Sequence, residues 1–358
     1  MNSLMTRRTF LISSGIALAG VLLGRALTPA QPLKPIRLSM MPAQDVVPVA
    51  FAFEQGIFSK HKVPIELVCG GNALERNTAF LAGQLDALAI DLTSAVLLLG
   101  RQAQAAITGT VFEAVPDPRN HNQIPRTVAM LTHKFSGYRS LEDVIKSGPK
   151  RQITLVQPSD MEYLTDMALQ AKGVRARDLD QYYTGVEDYD RIQLIAQMLG
   201  AGTAGVQVAV LPEPHATLTE VVAEANKIEI LTLTDYKGIA APPSVLFFSR
   251  QLLQERGETV RKFFQALRES VTLLNSSSRD FIIDTIIRVG VNVCFPELRG
   301  QELKFPEGWR DRLRVPYFPL PRALRQEEFE ALVNWALGKR YIRERIAFAA
   351  ATDFRFLG

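Results

Sequence analysis

The alternation of apolar and polar positions between residues 70 and 93 predicts a glycine loop, a helix, a tight turn and a buried strand. Apolar residues recur at helical spacing over 73–81, and Gly83 is typical of a residue that ends a helix. Residues 85–90 form an apolar run of strand length, which Asp91 and Thr93 follow. Because ligands bind at the carboxyl ends of strands in open α/β sheets, we expect half of a small-molecule cleft here.

The polar residues of this predicted helix, Glu75, Arg76 and Asn77, are expected on its solvent-facing side. Gly70 and Gly71 precede the helix. Glycine has no side chain, so this loop lets a ligand approach the main chain closely. We therefore expect the loop to face the cleft.

The rest of the chain also alternates between short apolar runs and helical periods. Strands are predicted at 36–40, 65–68, 105–112, 128–132, 152–156, 206–211 and 245–248. Helices are predicted at 46–53, 93–99, 160–171, 188–199 and 260–274, and a mostly helical C-terminal part at 279–292, 326–337 and 340–350. Strands and helices that alternate at these lengths predict parallel βαβ units.

Length and composition predict how these units are grouped. A chain of 358 residues is long enough for two lobes. Prolines and polar residues between 113 and 126 indicate a lobe boundary, and the chain is expected to return to the first lobe near Ser244. The predicted organisation is an export signal at 1–30, lobe 1 at 31–125 plus 245–358, and lobe 2 at 126–244.

Residues 1–30 have the pattern of an export signal. An apolar run of about fourteen residues follows a short basic region, and it is shorter than the roughly 20 residues that a membrane-spanning helix needs. Arg7 and Arg8 resemble the pair in a twin-arginine signal, and a Sec signal with two chance arginines is the alternative. We expect cleavage after Ala30, and no cysteine for a lipid anchor lies nearby. These features predict a periplasmic protein.

Charge argues against one large class of partners. The formal net charge is +4, but the signal holds Arg7, Arg8 and Arg25 and no acidic residue, so 38 basic residues face 37 acidic ones in the rest of the chain. Binding to nucleic acid requires a concentrated basic surface. A nearly neutral body therefore predicts no nucleic-acid partner.

Sequence motifs do not support a cofactor, metal or catalytic site. Residues 200–205 match the G-x-G-x-x-G dinucleotide pattern, but a predicted helix precedes them and a strand follows, the reverse of the order that this pattern needs. We interpret them as a flexible connection. Neither a G-x-S-x-G elbow nor a catalytic cysteine–histidine pair is indicated. No metal-ligand spacing links the four histidines, which are His61, His121, His133 and His215.

The two cysteines, Cys69 and Cys294, leave two alternatives open. They form either one disulfide or two buried free thiols. A single pair gives no disulfide framework, and the free thiols are the favoured alternative.

Three polar residues at predicted strand ends have two possible roles each. Ser159 either caps the helix at 160–171 or contacts a ligand, and the amides of that helix's first turn could hold an anionic group. Glu213, between two prolines, either contacts a cationic or hydrogen-bond-donating substrate or caps the next helix. Asp91 is open to the same two roles.

Five segments, in order along the chain, resemble one known family. They are AFEQGIF at 52–58, residues 75–87, MEYLTD at 161–166, LPEP at 211–214 and PSVLFF at 243–248. Together with the export signal they resemble the extracytoplasmic solute-binding proteins of ABC importers, in the nitrate, sulfonate and thiamine-precursor group. The resemblance implies the α/β type II periplasmic-binding-protein fold, with two lobes joined by hinge strands that close over a ligand.

The resemblance also implies a function, partners and a site. The protein would bind a small polar organic molecule or anion of the sulfonate, nitrate or pyrimidine-precursor type, as a monomer without cofactors, and deliver it to a membrane permease. The alternatives are a sensor or protein-binding module that does not transport, and an enzyme of the thiamine-pyrimidine or menaquinone pathway on the same fold. The export signal argues against the enzyme. The implied ligand-binding residues are Gln44, Gly71, Asn72, Asp91, Thr93, Ser159, Tyr163 and Glu213.

Overall fold

Two five-stranded sheets form the framework of the protein. The computed structural model describes residues 34–41, 43–69, 73–120, 123–186, 190–203, 205–295, 299–300 and 307–358. The predicted export signal, Gly70, Gly71 and Asn72 lie outside these ranges. The strands are β1 (Ile36–Met40), β2 (Ile65–Cys69), β3 (Ala87–Asp91), β4 (Ala105–Phe112), β5 (Val128–His133), β6 (Ile153–Val156), β7 (Tyr183–Val186), β8 (Val208–Pro212), β9 (Ile230–Thr234) and β10 (Ser244–Ser249).

Helices connect and cover the strands. None of the helices in the described ranges combines the length and the apolar character that a membrane span requires. They are α1 (Val47–Glu54), α2 (Ile57–Lys60), α3 (Ala73–Leu81), α4 (Leu92–Gly100), α5 (Leu141–Lys146), α6 (Asp160–Ala171), α7 (Asp190–Gly200), α8 (His215–Ala225), α9 (Arg250–Glu255), α10 (Gly257–Ser276), α11 (Arg279–Val289), α12 (Trp309–Arg312), α13 (Gln326–Gly338) and α14 (Phe348–Ala351).

The first sheet has the strand order β2-β1-β3-β10-β4. β1 runs parallel to β2 and β3, as the sequence predicts, whereas β10 runs antiparallel to both β3 and β4. The prediction of purely parallel units is therefore wrong for β10. That strand returns from the second sheet and enters where β3 ends, so that Ser244 lies opposite Asp91 and the chain runs back along its neighbours.

The second sheet has the order β7-β6-β8-β5-β9 and is also mixed. β6 is parallel to β7 and β8, whereas β5 is antiparallel to β8 and β9. The sequence did not predict β7 and β9, which form the two edges. Both edge strands are partly exposed, so they lack the continuous apolar run that marks a buried strand.

Each sheet has its own hydrophobic core, which defines two lobes. In lobe 1, Phe248, Phe263 and Phe264 pack together on one side of the first sheet, and Phe247 and Phe329 belong to a cluster on the other side. The core of lobe 2 is a separate cluster around β5, β6 and β8. The chain crosses between lobes after β4 and again after β9. The exact boundaries at residues 125 and 244 stay a prediction.

A disulfide joins Cys69 at the end of β2 to Cys294 in the π-helical turn Gly290–Cys294 that follows α11. The Cα atoms are 4.9 Å apart although the residues are separated by 225 positions in sequence. The favoured sequence interpretation, two buried free thiols, is therefore wrong. Folding of the intervening chain brings the two cysteines together, and no local pattern records that proximity.

The C-terminal segment, residues 307–358, packs on lobe 1, and its short helix α12 also contacts α8 of lobe 2. Helix α13 lies against α4, and the Thr110 N–H of β4 donates to the Arg322 carbonyl at 2.9 Å. The helix expected at 340–350 is largely wrong, since only Phe348–Ala351 is helical. Arg340 has a φ of 61°, and a residue in this left-handed region just after a helix ends it.

Lys339, at the end of α13, connects the C-terminal segment to lobe 2. Its Nζ lies 2.7 Å from a carboxylate oxygen of Glu162 and 3.4 Å from one of Asp166, both on α6, and it also pairs with Asp180. The side chains of Glu162 and Asp166 are completely buried. Burial disfavours the charge on Lys339, but Asp166 and Glu162 outweigh this effect, so the pKa of Lys339 is raised.

Two aromatic residues extend the same connection. The indole Nε1 of Trp335 donates to Asp166 at 2.8 Å, and the hydroxyl of Tyr341 donates to Glu162 at 2.9 Å. Buried carboxylates are tolerated when charged and neutral donors satisfy their oxygens. The C-terminal segment thus stabilises the acidic face of α6 together with Gln157 and Tyr183 of lobe 2, which donate to Glu162 and Asp166.

We expect Lys339→Met to lower the free energy of unfolding by about 3–5 kcal/mol, because two buried carboxylates lose their counter-charge. Lys60→Met is the matched control: it removes an exposed pair with Glu269, and such pairs contribute about 0–1 kcal/mol. Urea denaturation measures both variants. An equal decrease in the free energy of unfolding in the two variants would contradict a structural role for the contacts of Lys339 with Glu162 and Asp166.

Candidate functional site

A cavity of about 130 Å³ lies between the lobes, where β1, β3, β6 and β8 end. Its walls are mostly apolar and include Met41 and Phe112 from lobe 1 and Leu164 from lobe 2. A wider cavity of about 1160 Å³ adjoins it and shares Glu113 and Leu164 as walls. A concave space with apolar walls and polar groups at strand ends is the usual form of a small-molecule site.

Four of the eight residues implied by the resemblance line the smaller cavity, namely Gln44, Asp91, Ser159 and Glu213. Tyr163 lines the wider cavity, where its ring packs edge-on against Trp335 with centroids 5.7 Å apart. Thr93 lines neither of these cavities, and its buried hydroxyl has no hydrogen-bond partner in the described part of the chain. Gly71 and Asn72 lie outside the described residues. A ligand-binding role for these eight residues stays a prediction.

Ser159 serves as the cap of α6. Its hydroxyl accepts from the Glu162 N–H at 3.3 Å, and its carbonyl accepts from the Tyr163 N–H at 3.1 Å. The Met161 N–H donates to the Asp160 carboxylate at 2.9 Å. The amides of residues 161–163 are thus hydrogen-bonded to Ser159 and Asp160. An anion-binding role for this first turn stays a prediction.

Asp91 caps α4 while it lines the cavity. One carboxylate oxygen accepts from the Ser94 N–H at 2.7 Å and the other from the Ser94 hydroxyl at 2.6 Å. Each oxygen retains a lone pair for a further donor. The two roles that the sequence left open for Asp91 are therefore compatible.

Glu213 is held by charged and neutral donors from lobe 2. Arg126 Nε donates to one carboxylate oxygen at 2.7 Å, and the Thr217 hydroxyl donates to the other at 2.7 Å. Arg126 also contacts Glu220 at 2.7 Å. With 2% of its surface exposed, Glu213 is a largely satisfied anchor of the start of α8.

Asp45, Arg76 and Asp160 also line the cavity and were absent from the predicted set. Asp45 follows Gln44, and one of its oxygens accepts from the Ser244 hydroxyl at 2.6 Å. Its other oxygen is buried and has no hydrogen-bond partner in the described ranges. Asp45 and Asp160 come from different lobes, so the sequence alone gives no sign that they share a cavity.

Arg76 was expected on the solvent-facing side of α3, and that prediction is wrong. It is only 4% exposed and lines the cavity. Arg76 lies three residues after Ala73 and four before Phe80, spacings that put residues on one helix face. The helical period therefore contained the signal for burial, and the charge of the side chain obscured it.

These charged groups affect one another's protonation. Burial raises the pKa of Asp160 to about 8, and Asp91 and Asp45 add to the effect. Burial also raises the pKa of Asp45, against the hydrogen bond from Ser244. Burial lowers the pKa of Arg76, while Asp91 and Asp45 act in the opposite direction. Negative charge in the cavity is thus poorly compensated by the described residues.

Two α/β lobes with a cavity at the strand ends between them define a periplasmic-binding-protein fold. The model of the NMT1-like family matches residues 29–286 of the chain. The chain therefore belongs to the NMT1-like family. A comparison with curated proteins gives no match.

Solved structures confirm the fold predicted from the sequence. The alkanesulfonate-binding protein SsuA from Xanthomonas axonopodis pv. citri, bound to MOPS, has a TM-score of 0.67 at 16% identity, over 90% of this chain and 99% of that one. The aliphatic sulphonate binding protein SsuA from Escherichia coli has a TM-score of 0.64 at 12% identity, over 89% of this chain and 97% of that one. The nitrate-binding protein NrtA from Synechocystis PCC 6803 has a TM-score of 0.58 at 10% identity, over 87% of this chain and 82% of that one. At these identities the matches show the fold alone.

We expect Asp160→Asn to stabilise the ligand-free protein more at pH 8 than at pH 4. The pKa of Asp160 is about 8 in the folded protein and 3.8 ordinarily. As the pH rises between these values, the unfolded chain loses a proton that the folded chain retains, so this group makes folding less favourable. Thermal melts of variant and wild type across this range measure the difference.

Asp280→Asn is the control, because Asp280 also lies in the first turn of a serine-capped helix but its side chain is 73% exposed. A stabilisation by Asp160→Asn that does not change with pH would contradict the raised pKa.

Proposed function

We propose that this protein is the periplasmic substrate-binding component of an ABC import system. It takes up a small polar organic molecule between its lobes and presents the closed complex to a membrane permease. The observation that carries the proposal is the cavity to which both lobes contribute strand ends. A ligand that contacts both lobes favours the closed state, which is the signal that a permease requires.

Two further features support the proposal. The chain belongs to the NMT1-like family, and proteins of the same fold are described as sulfonate-binding or nitrate-binding proteins. Residues 1–30 have the pattern of an export signal, which supports a location on the side of the membrane where solutes are captured. We also propose that the protein is exported by the twin-arginine route and that it is a monomer.

Native mass spectrometry of the protein purified from a periplasmic extract tests ligand capture. We expect a mass excess under native conditions that disappears on denaturation, because the ligand is bound without a covalent bond. The released compound is then supplied to cells that lack the protein. Uptake should fall to background in these cells and return with the wild-type gene.

The export-deficient double variant Arg7→Lys and Arg8→Lys is the control, since it should leave the protein in the cytoplasm and fail to restore uptake. If the purified protein retains a compound but cells that lack the protein take it up as before, the protein is a sensor and not a transport component. Conversion of the compound by the purified protein would instead indicate an enzyme on the same fold.

A further inference from the structure

We propose that the ligand presents a positively charged nitrogen group, an ammonium or an amidinium, to Asp45, Asp91 and Asp160. This inference rests on the proposed function, because it names the chemical class of the molecule that the cavity receives. Asp45 and Asp91 belong to lobe 1 and Asp160 to lobe 2. A cation between them would therefore be shared by both lobes.

The charges of the cavity support a cation. Two of its carboxylates already have an arginine partner, since Glu213 accepts from Arg126 at 2.7 Å and Glu113 accepts from Arg322 at 2.8 Å. The three aspartates have no ion pair with a basic side chain in the described part of the chain. Arg76 is the remaining basic group among the described residues of the lining, so three aspartates face one arginine there.

Hydrogen bonding in the cavity also favours a cationic ligand group. The Oδ1 atom of Asp45 is buried and has no hydrogen-bond partner among the residues that the structure describes, whereas its Oδ2 accepts from Ser244. A buried acceptor without a donor costs free energy comparable to a lost hydrogen bond. An N–H of the ligand would supply that donor, and a positively charged N–H would do so most strongly.

An anionic ligand group lacks comparable support. The first-turn amides of α6 at residues 161–163 are satisfied within the helix. Among the described residues of the lining, Arg76 is the one basic side chain, and Asp91 and Asp45 act on it electrostatically. A sulfonate or nitrate beside Arg76 would therefore also face carboxylates, whose repulsion opposes its binding.

The same cavity favours an organic cation over a metal ion. In the described ranges, no three histidine, cysteine, aspartate or glutamate side chains are placed closely enough to hold a metal. The walls contributed by Met41, Phe112 and Leu164 suit the carbon skeleton of an organic molecule. Burial raises the pKa of Asp160, so a bound cation would also favour its ionised form and link closure to proton release.

Matched probes test the charge preference. Benzamidinium, benzamide and benzoate have nearly the same shape and differ in charge, and acetamidinium, acetamide and acetate form a smaller set. Nitrate and methanesulfonate complete the panel. Thermal shift and calorimetry at neutral pH should show a cation binding at least about tenfold more tightly than its neutral and anionic counterparts.

Variants locate the preference in the cavity. Asp45→Asn and Asp160→Asn keep side-chain size and remove charge, and each should reduce cation binding by about tenfold or more. Asp280→Asn, which changes an exposed aspartate, should bind cations like the wild type. Circular dichroism melts check that each variant is folded, so that a loss of binding reports on the cavity.

Tighter binding of benzoate, nitrate or methanesulfonate than of any cation would overturn the charge preference and leave the receptor function standing. Failure of every cation to bind at millimolar concentration would also overturn it. Equal cation binding by the wild type and by both cavity variants would place the cation elsewhere. The receptor function itself is tested by identifying the retained compound and measuring its uptake, and both measurements are independent of these probes.

Discussion

The insertion of β10 between β3 and β4 is the constraint on which the cleft depends. After forming lobe 2 the chain must return to lobe 1, and it does so as a buried antiparallel strand. Its first residue, Ser244, then lies opposite Asp91, and its hydroxyl donates to Asp45. The backbone pairing that closes lobe 1 thus also fixes two of the acidic groups at the cleft. A shift of this register by one residue would turn the Ser244 side chain to the other face of the sheet.

A second connection between the lobes comes from the C-terminal segment. Lys339, Trp335 and Tyr341 meet the carboxylates of α6, the helix that carries Asp160 at its first residue. On another side of the molecule, Gln44 donates to the Arg314 carbonyl at 2.7 Å, and Arg314 approaches Glu213 to 4.0 Å. The C-terminal segment therefore contacts residues of both lobes near the cavity. Its contacts with α6 combine the Lys339 ion pairs and hydrogen bonds with the edge-on packing of Trp335 on Tyr163. Its contacts with lobe 1 include apolar packing at Phe318 and Phe329.

The sequence was informative wherever structure follows from a local pattern. Helix α6 begins and ends at the predicted residues, and β1 and β4 match as well, because a buried strand or an amphipathic helix records its environment in its own period. The direction of β10 and the Cys69–Cys294 bond depend on distant parts of the chain, which no local pattern contains. Edge strands β7 and β9 were missed because partial exposure weakens the pattern.

For the site residues, too, the sequence predicted what depends on a local pattern and missed what depends on distant parts of the chain. Strand-end reasoning found Asp91, Ser159 and Glu213, since parallel strands end at one edge of a sheet. It did not separate residues whose polar atoms are already satisfied, such as Ser159 and Glu213, from those with unused capacity, such as Asp45. That difference depends on hydrogen-bond partners that come from other elements.

A crystal structure of the protein with the compound that it retains on purification would show directly whether the cavity binds a cation. We expect density for a compact organic molecule between the lobes, with nitrogen atoms at hydrogen-bond distance from Asp45 and Asp160. A molecule bound outside this cavity, or an anionic group bound to Arg76 without contact to the aspartates, would show that the cavity does not bind a cation.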